Sequence, residues 1–316
     1  MLTRRATLSG IGAIVASGAH AASPSTIKTA PSFKPPKGAC DCHVHVIPDP
    51  AKFPMAPSRA YTPPVATAKD LQAFHKALGI ERAVVVTPSI YGPDNRATLD
   101  ALKQLGLART RGVITLGPQT SKAQLFEMYK LGVRGARVNL ESNGVADPTV
   151  AIRKLEEAIG LLEGSGWHMQ LYARMSVVAA LAGRLATMPI VPVFDHFAGA
   201  KADRGADQEG FDAVLSMVRS GHAYVKISGA YRVSDRWPDF ADTIPLARAL
   251  VAANPDRILW GSDWPHTGKP AKTVEETNAP IPADDGALLN LLAESVPDQR
   301  IRHKILVNNP SQLYGF

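Results

Sequence analysis

The chain has 316 residues, of which 45% are hydrophobic and 20% charged, enough for a large core in one α/β barrel or in two ordinary domains. The formal charge is +7, but the lysines and arginines are scattered, and neither a zinc-finger spacing nor an aromatic-basic RNA-binding pattern occurs, which argues against nucleic acid as a partner. The two cysteines, Cys40 and Cys42, are too close together to support a disulfide framework.

The N-terminus has the pattern of an export signal. Arg4 and Arg5 form a twin-arginine pair, a short and weakly hydrophobic stretch follows, and Ala19-His20-Ala21 has the small-x-small form of a cleavage site. We therefore expect residues 1–21 to be a signal peptide that the twin-arginine export machinery recognises, and the protein to be periplasmic or otherwise exported. No other stretch is long and apolar enough to cross a membrane.

Residues 22–38 are rich in Pro, Ser, Thr and Lys and are expected to form a linker. Beyond them, short apolar segments alternate with amphipathic ones. The predicted strands are 39–47, 82–87, 112–116, 135–140, 168–173, 191–197, 223–228 and 257–262. The predicted helices are 67–78, 95–108, 121–131, 148–163, 176–187, 209–219, 238–253, 286–294 and 299–307.

Eight strands alternating with helices predict an α/β protein with a parallel sheet, closed into a (β/α)8 TIM barrel over residues 39–316. An open doubly wound sheet is the alternative fold. It would be expected to carry a glycine-rich phosphate-binding turn after an early strand, and the sequence contains neither GxGxxG nor GxxxxGK[ST]. The barrel is therefore the favoured architecture.

The first predicted strand carries two histidines one residue apart. Strand alternation would place Asp41, His43 and His45 on one face, with Cys42 and Val44 on the other. Two imidazoles on one face can converge on a metal ion or on a carbonyl oxygen. The alternative is a pair of hydrogen-bonded core histidines, so the interpretation depends on partners elsewhere in the chain.

Further polar side chains stand at the carboxyl ends of the other strands, where barrel enzymes place their catalytic groups. Core packing does not require them, because ionisable side chains are rarely buried without a partner. They occur in Pro88-Ser89-Ile90-Tyr91, Arg137-Val138-Asn139, Gln170-Leu171-Tyr172, Phe194-Asp195-His196, Lys226-Ile227-Ser228-Gly229-Ala230-Tyr231-Arg232 and Ser262-Asp263-Trp264-Pro265-His266.

Taken together, HxH, PSIYGxDN, RGxRxN, DHFAG, KISGAYR and GSDWPH resemble the amidohydrolase superfamily, and within it the family of 2-pyrone-4,6-dicarboxylate lactonases and sugar-lactone enzymes. The resemblance extends from about Asp41 to Phe316. It implies a hydrolase that opens a lactone or related cyclic ester of a small anionic substrate. The alternatives are a zinc-dependent hydrolase or decarboxylase of the same superfamily, a sugar-lactone isomerase and, from another class, a non-catalytic periplasmic binding protein.

The resemblance also implies roles for eight side chains. Asp263 would be the general base that activates water, and Arg137 and Arg232 would hold a substrate carboxylate. The residues that would polarise the lactone carbonyl are His43, His45 and His196, and those that would complete the pocket are Ser89 and Tyr172. A helix N-cap is the alternative role for Asp263, and an ordinary surface position is the alternative for Arg232.

Two departures from the family pattern bear on cofactor and substrate. Metal-dependent members usually supply a histidine from strand five, where this chain offers Gln170 and Tyr172, and a cation beside Arg137 would be repelled. We therefore expect no cofactor. If a divalent metal such as zinc or manganese binds, its ligands would be His43, His45, His196 and Asp263. Glu141 stands where the pyrone lactonases carry a second carboxylate-binding arginine, which weakens the case for a dicarboxylate substrate.

Overall fold

The computed structural model describes residues 27–268 and 271–316, and within them the predicted barrel is confirmed. Eight parallel strands pair in chain order. The ends of the sheet meet through a parallel bridge between Val44 and Trp264. The strands are β1 (Cys40–Val44), β2 (Arg82–Val86), β3 (Thr110–Thr115), β4 (Val133–Asn139), β5 (His168–Tyr172), β6 (Pro192–Phe194), β7 (Tyr224–Ser228) and β8 (Ile258–Gly261).

Helices cover the outside of the barrel. Two of the helices begin at capping side chains, because Ser121 accepts from the backbone of Gln124 and Asp147 accepts from that of Thr149. The helices are α1 (Ala68–Leu78), α2 (Arg96–Leu105), α3 (Lys122–Lys130), α4 (Pro148–Leu162), α5 (Met175–Thr187), α6 (Phe211–Arg219), α7 (Ala230–Val233), α8 (Ile244–Ala253), α9 (Asp285–Ser295), α10 (Gln299–His303) and α11 (Asn309–Tyr314).

Two predicted helices differ from those observed. The segment predicted as a helix over 238–253 becomes helical only from Ala241, first as a short 3-10 turn and then as α8, because Phe240 has a left-handed backbone (φ 52°) that interrupts it. At the C-terminus, the predicted helix 299–307 continues as a π-helical turn, Lys304–Asn308, into α11. None of the helices in the described part of the chain is long and apolar enough to span a membrane.

The alternation predicted for the first strand is wrong for Asp41 and for Cys42, because Cys42 faces the barrel interior and Asp41 does not. The register of β1 shifts between Asp41 and Val44, so the chain there is not a regular two-residue repeat. Asp41 accepts hydrogen bonds from the backbone of His43 and of Ser262 and lies 3.3 Å from His75 of α1, outside the barrel. The irregularity leaves His43 and His45 at the top of the interior.

The floor of the barrel interior is apolar and lies below the polar groups. His168 belongs to this floor, as its place at the start of β5 predicts, and packs edge-on against Tyr314 with ring centroids 5.2 Å apart. The side chains of the interior cluster are Cys40, Cys42, Val84, Val86, Val113, Val193, Tyr224, Leu259 and Tyr314. Both cysteines are free thiols.

The predicted signal peptide lies outside the described residues, as does the first part of the predicted linker. The described remainder of the linker contacts the barrel. The hydroxyl of Thr29 donates to Asp284 at 2.6 Å, and the backbone of Ser32 donates to Asn290 of α9 at 2.6 Å. The segment therefore leads to β1 along the start of α9.

Candidate active site

The predicted site residues come together at the carboxyl ends of the strands. Around one cavity of about 70 Å³ lie His45, Ser89, Arg137, Tyr172, His196, Arg232 and Asp263, with Tyr61, Ser142, Thr267 and Gly268 completing the wall. His43 is fully buried beside this cavity, against His45 and His196. The sequence-derived set is therefore one spatial cluster.

Backbone hydrogen bonds between the first and last strands position Asp263. Its N–H donates to the carbonyl of His43 at 2.9 Å, and the N–H of His45 donates to the carbonyl of Trp264 at 2.9 Å. No helix begins at Asp263, since the next helix is α9, so the N-cap alternative is excluded. Its φ of 64° is left-handed, a conformation that Asp and Asn tolerate better than other non-glycine residues.

One oxygen of Asp263 is held and the other is free. Oδ2 accepts from Tyr231 at 2.7 Å and from Nε of Arg232 at 2.5 Å. Oδ1 is buried and has no hydrogen-bond partner among the described residues. Burial would raise the pKa of Asp263, but Arg232, followed by His196 and His43, holds that pKa well below its usual value. The residue is therefore a carboxylate with one oxygen available.

Three imidazoles surround that free oxygen. Nε2 of His43 lies 3.7 Å from Oδ1, Nε2 of His45 lies 3.7 Å away, and Nε2 of His196 lies 3.9 Å away. Burial lowers the pKa of His45 and of His196 to about 4, and that of His43 well below its usual value. All three rings are therefore neutral near neutral pH, and each carries only one proton.

Hydrogen bonds at Nδ1 decide where that proton is in at least one ring. Nδ1 of His45 lies 2.8 Å from the carbonyl oxygen of Val86, which can only accept, so Nδ1 carries the proton and Nε2 presents a lone pair to the cavity. Nδ1 of His196 contacts the hydroxyl of Ser228 at 2.9 Å, which is compatible with either tautomer. The three histidines are thus not chemically equivalent.

The turn that carries His196 explains the DHFAG motif. Residues 196, 197 and 198 all have positive φ values, which bends the chain tightly after β6. Gly199 follows, and a Cβ at that position would lie 2.1 Å from the carbonyl oxygen of Ala173. Only glycine fits this close approach, so the motif is a structural requirement for placing His196 beside Asp263.

A second charged cluster, which sequence reasoning missed, lies beneath the histidines. Asp195 is fully buried and its Oδ2 accepts from Nε of Arg137 at 2.9 Å and from Gln170 at 3.0 Å. Lys226 has no exposed side-chain surface; its Nζ donates to Gln170 at 2.6 Å and lies 3.3 Å from Oδ1 of Asp195. Burial would raise the pKa of Asp195, but Lys226, His43 and Arg137 hold that pKa well below its usual value.

A chain of hydrogen bonds also links Asp263 to α9. The hydroxyl of Tyr231 bridges Asp263 and Nδ1 of His266, which lies 3.0 Å away, and Nε2 of His266 lies 2.8 Å from Asp285. Burial would lower the pKa of His266, but the neighbouring carboxylate of Asp285 raises it. The sequence shows His266 three residues after Asp263, but it does not indicate the Tyr231 hydroxyl that connects the two side chains.

The two arginines predicted to bind substrate are both engaged with protein carboxylates. Arg232 is only partly exposed, which excludes the surface alternative, and it is bonded to Asp263. Arg137 is bonded to Asp195 through Nε, and no hydrogen bond joins its two Nη atoms to another described residue. Both side chains line the cavity, so each can face a ligand while its Nε remains paired.

The side chains around Asp263 could hold a divalent metal. His43, His45 and Asp263 offer ligand atoms that all lie within 4.8 Å of one another. Zinc bound at about 2.0–2.2 Å places neighbouring tetrahedral ligands roughly 3.3–3.6 Å apart, close to the observed separations. Oδ1 of Asp263 and Nε2 of His43 are also buried without partners. The donor set therefore fits a metal, provided that each ligating nitrogen is free of its proton.

The chain is similar in sequence to two known hydrolases. The chain is 36% identical over 285 residues to a 4-sulfomuconolactone hydrolase of Hydrogenophaga intermedia, covering 90% of each chain. It is 35% identical over 293 residues to a 2-pyrone-4,6-dicarboxylate hydrolase of Comamonas testosteroni, covering 90% of this chain and 92% of that one.

The fold is also similar to that of a solved hydrolase structure. A crystal structure of a putative 2-pyrone-4,6-dicarboxylic acid hydrolase from Pseudomonas putida superposes with a TM-score of 0.73 at 30% identity, over 88% of this chain and 97% of that chain. The sequence model of the amidohydrolase family matches residues 40–316, which contain the whole barrel and every residue of the candidate site. The chain therefore belongs to the amidohydrolase family.

Proposed function

We propose that this protein is a lactone hydrolase that opens a cyclic ester of a small anionic substrate. The observation that carries the proposal is the free, buried oxygen of Asp263 at the centre of three neutral imidazoles. The relatives that hydrolyse lactones support the choice of substrate class. A binding protein would have no need for an ionised base held at the centre of such a group.

In the proposed reaction, a water molecule lies between Oδ1 of Asp263 and Nε2 of His45, because both atoms accept hydrogen bonds. Asp263 takes a proton from this water as the oxygen attacks the lactone carbonyl carbon. The carbonyl oxygen gains negative charge and is stabilised by N–H groups, for which His43 and His196 are placed. The C–O bond of the ring then breaks, and the proton held by Asp263 passes to the departing alkoxide, giving a hydroxy acid.

The charge of the site favours an anionic substrate. Three cationic side chains, Arg137, Lys226 and Arg232, face two carboxylates, Asp195 and Asp263, and the histidines are neutral. A substrate carboxylate would balance the excess positive charge and would be bound by the Nη atoms of the two arginines, which favour planar, bidentate anions. The role proposed for Arg232 therefore combines two contacts, one with Asp263 and one with substrate.

Space beside the reaction cavity allows a substituted ring. A groove of about 750 Å³ adjoins it and shares Ser89 and Arg137 with its wall. The groove has the size typical of small-molecule sites, which is about 300–1,000 Å³, whereas the reaction cavity alone is smaller. We propose that the ring carbonyl enters the cavity and that a substituent extends along the groove.

A divalent ion held by His43, His45 and Asp263, once the ligating nitrogen of His43 is free of its proton, would polarise the carbonyl and lower the pKa of a bound water. The proposed reaction does not depend on this ion.

The test of the proposed function is a panel of γ- and δ-lactones, with and without a carboxylate, assayed before and after chelation. We expect hydrolysis of carboxylated lactones that survives chelation. Loss on chelation with recovery on adding zinc or manganese would favour the metal-dependent alternative, and no opening of any lactone would contradict the proposal.

We also propose that the protein is exported by the twin-arginine route, from the pair Arg4 and Arg5 and the Ala19-His20-Ala21 site. Replacing both arginines with lysine should keep the full-length protein in the cytoplasm while the barrel folds normally. The measurement is cell fractionation followed by N-terminal sequencing. An extracytoplasmic form that still begins at Met1, or normal export of the double-lysine variant, would contradict this proposal.

A further inference from the structure

Packing of the barrel interior does not require a lysine at position 226. It belongs to β7 and has no exposed surface, at a depth where barrels are usually filled with Val, Ile and Leu. Replacing a buried ion pair with apolar side chains is often neutral or stabilising, so stability alone does not require the pair that Lys226 forms with Asp195. Its contacts indicate another role.

Those contacts join Lys226 to a catalytic imidazole. Nζ donates to Gln170 at 2.6 Å and is 3.3 Å from Nδ1 of His43, with hydrogen-bond geometry. A lysine ammonium has three donors and no lone pair, so the ring nitrogen that it contacts must accept. Because Nδ1 accepts, the ring is not an imidazolium and its one proton is on Nε2, the nitrogen that faces Asp263.

A competing arrangement exists in the same cluster. Nδ1 of His43 is also 3.2 Å from Oδ1 of Asp195, and a proton on Nδ1 could be donated to that oxygen. In the structure, however, Oδ1 of Asp195 has no partner with hydrogen-bond geometry in the described part of the chain. The contact with Lys226 is therefore the one that is formed, and the carboxylate is available as an alternative acceptor.

We infer that Lys226 is a positioning residue that keeps the proton of His43 on Nε2, making His43 a hydrogen-bond donor in the site and withholding it as a metal ligand. His45 has the opposite tautomer, because Val86 accepts from its Nδ1. The two imidazoles of the HxH pair thus differ: one donates to the carbonyl oxygen, and the other accepts from water. Without Lys226, the His43 proton moves to Nδ1 and faces Asp195, which frees Nε2 to bind a metal with His45 and Asp263.

The first test is direct observation of the tautomer. Long-range proton–nitrogen NMR of histidine-labelled full-length protein distinguishes a protonated Nε2 from a protonated Nδ1, and the signals of His43 are assigned from their loss in the variant His43→Gln. We expect Nε2 to carry the proton in the wild type at neutral pH, in metal-free buffer. A proton on Nδ1 would overturn the inference, whatever any variant does.

The second test is Lys226→Met, which keeps the length of the side chain and removes its donors. We expect the His43 tautomer to switch and zinc to bind the metal-free protein more tightly by roughly tenfold or more, the size of effect seen when an outer partner of a ligating histidine is changed. The control is Lys304→Met, which removes a surface lysine paired with Asp256 and should change neither quantity. Unchanged zinc affinity in folded Lys226→Met would overturn the inference.

A kinetic test separates this role from simple packing. The inference deepens the proposed function by assigning the carbonyl donor, so on any lactone that the wild type opens, Lys226→Met should lower kcat by about 10²-fold with little change in KM, as when one oxyanion donor is removed. An equal kcat would overturn the donor role of His43. The tautomer and zinc tests use no lactone, so failure of the proposed function would leave them interpretable.

Discussion

Replacing Asp263 with asparagine should reduce the turnover of lactone by about 10²–10⁴-fold, because positioned proton transfer typically contributes that much to rate. The substitution keeps the shape of the side chain. The amide oxygen can still accept from Tyr231 and Arg232, as Oδ2 does now, and the amide nitrogen then occupies the position of the free oxygen. The variant therefore loses the proton acceptor and little else.

Substrate affinity should change much less than turnover. The groups proposed to hold the substrate anion are Arg137 and Arg232, and both remain in place. The left-handed backbone at position 263 is also no obstacle, since asparagine adopts positive φ at least as readily as aspartate. Steady-state kinetics and a thermal unfolding curve of the same preparation distinguish a chemical effect from a folding defect.

The matched control is Asp256→Asn, which changes a carboxylate paired with Lys304 on the protein surface and should leave turnover unchanged. Turnover of Asp263→Asn within a few-fold of wild type would remove Asp263 from the mechanism.

In the wild type, the rate of lactone hydrolysis should be insensitive to pH down to about 4 to 5. The pKa of Asp263 is held below its usual value, so the carboxylate stays ionised there, and His45 and His196 gain protons only near pH 4.

The barrel could be predicted from the sequence because the patterns that indicate its strands and helices involve only neighbouring residues. Each strand is a short apolar segment, and the helix starts at Ser121 and Asp147 follow from capping chemistry that involves only neighbouring residues. Where prediction failed, a backbone irregularity was responsible. The register shift in β1 brings Cys42 and His43 to the same inward face and leaves Asp41 outside, and the left-handed residue Phe240 delays the start of α8. Neither feature has a pattern in the residue types alone.

The sequence predicted which side chains lie together at the strand ends, but it did not predict which of them pair with each other. Strand ends identify which side chains gather at the top of a barrel, and the eight named residues do gather there. The pairing of Arg232 with Asp263 and of Arg137 with Asp195 depends on distances across the barrel, which the sequence does not contain. A signal for Lys226 was present, however. It alternates with Tyr224 and Ser228, so it must share their inward face, where a lysine requires a partner.

Replacing Asp195 with asparagine should make the protein less stable, and this is the second large effect that we expect. Asp195 is the only carboxylate in direct contact with Arg137 and Lys226 in the described part of the chain, and all three side chains are buried or nearly so. Removing one partner of a buried ion pair typically costs about 3–5 kcal/mol, because it leaves an uncompensated charge in the interior. We expect a loss of unfolding free energy in this range, measured by urea denaturation.

Two comparisons make the result interpretable. Asp256→Asn breaks an exposed pair with Lys304 and should cost only about 0–1 kcal/mol. The double variant Asp195→Asn with Lys226→Met removes one cation together with the anion and leaves only Arg137, whose guanidinium lines the cavity and can reach water, to carry the excess charge. It should therefore be more stable than Asp195→Asn alone. If Asp195→Asn were as stable as wild type, the charges beneath the histidines would already be compensated elsewhere, and the balance of three cations against two carboxylates in this site would need to be revised.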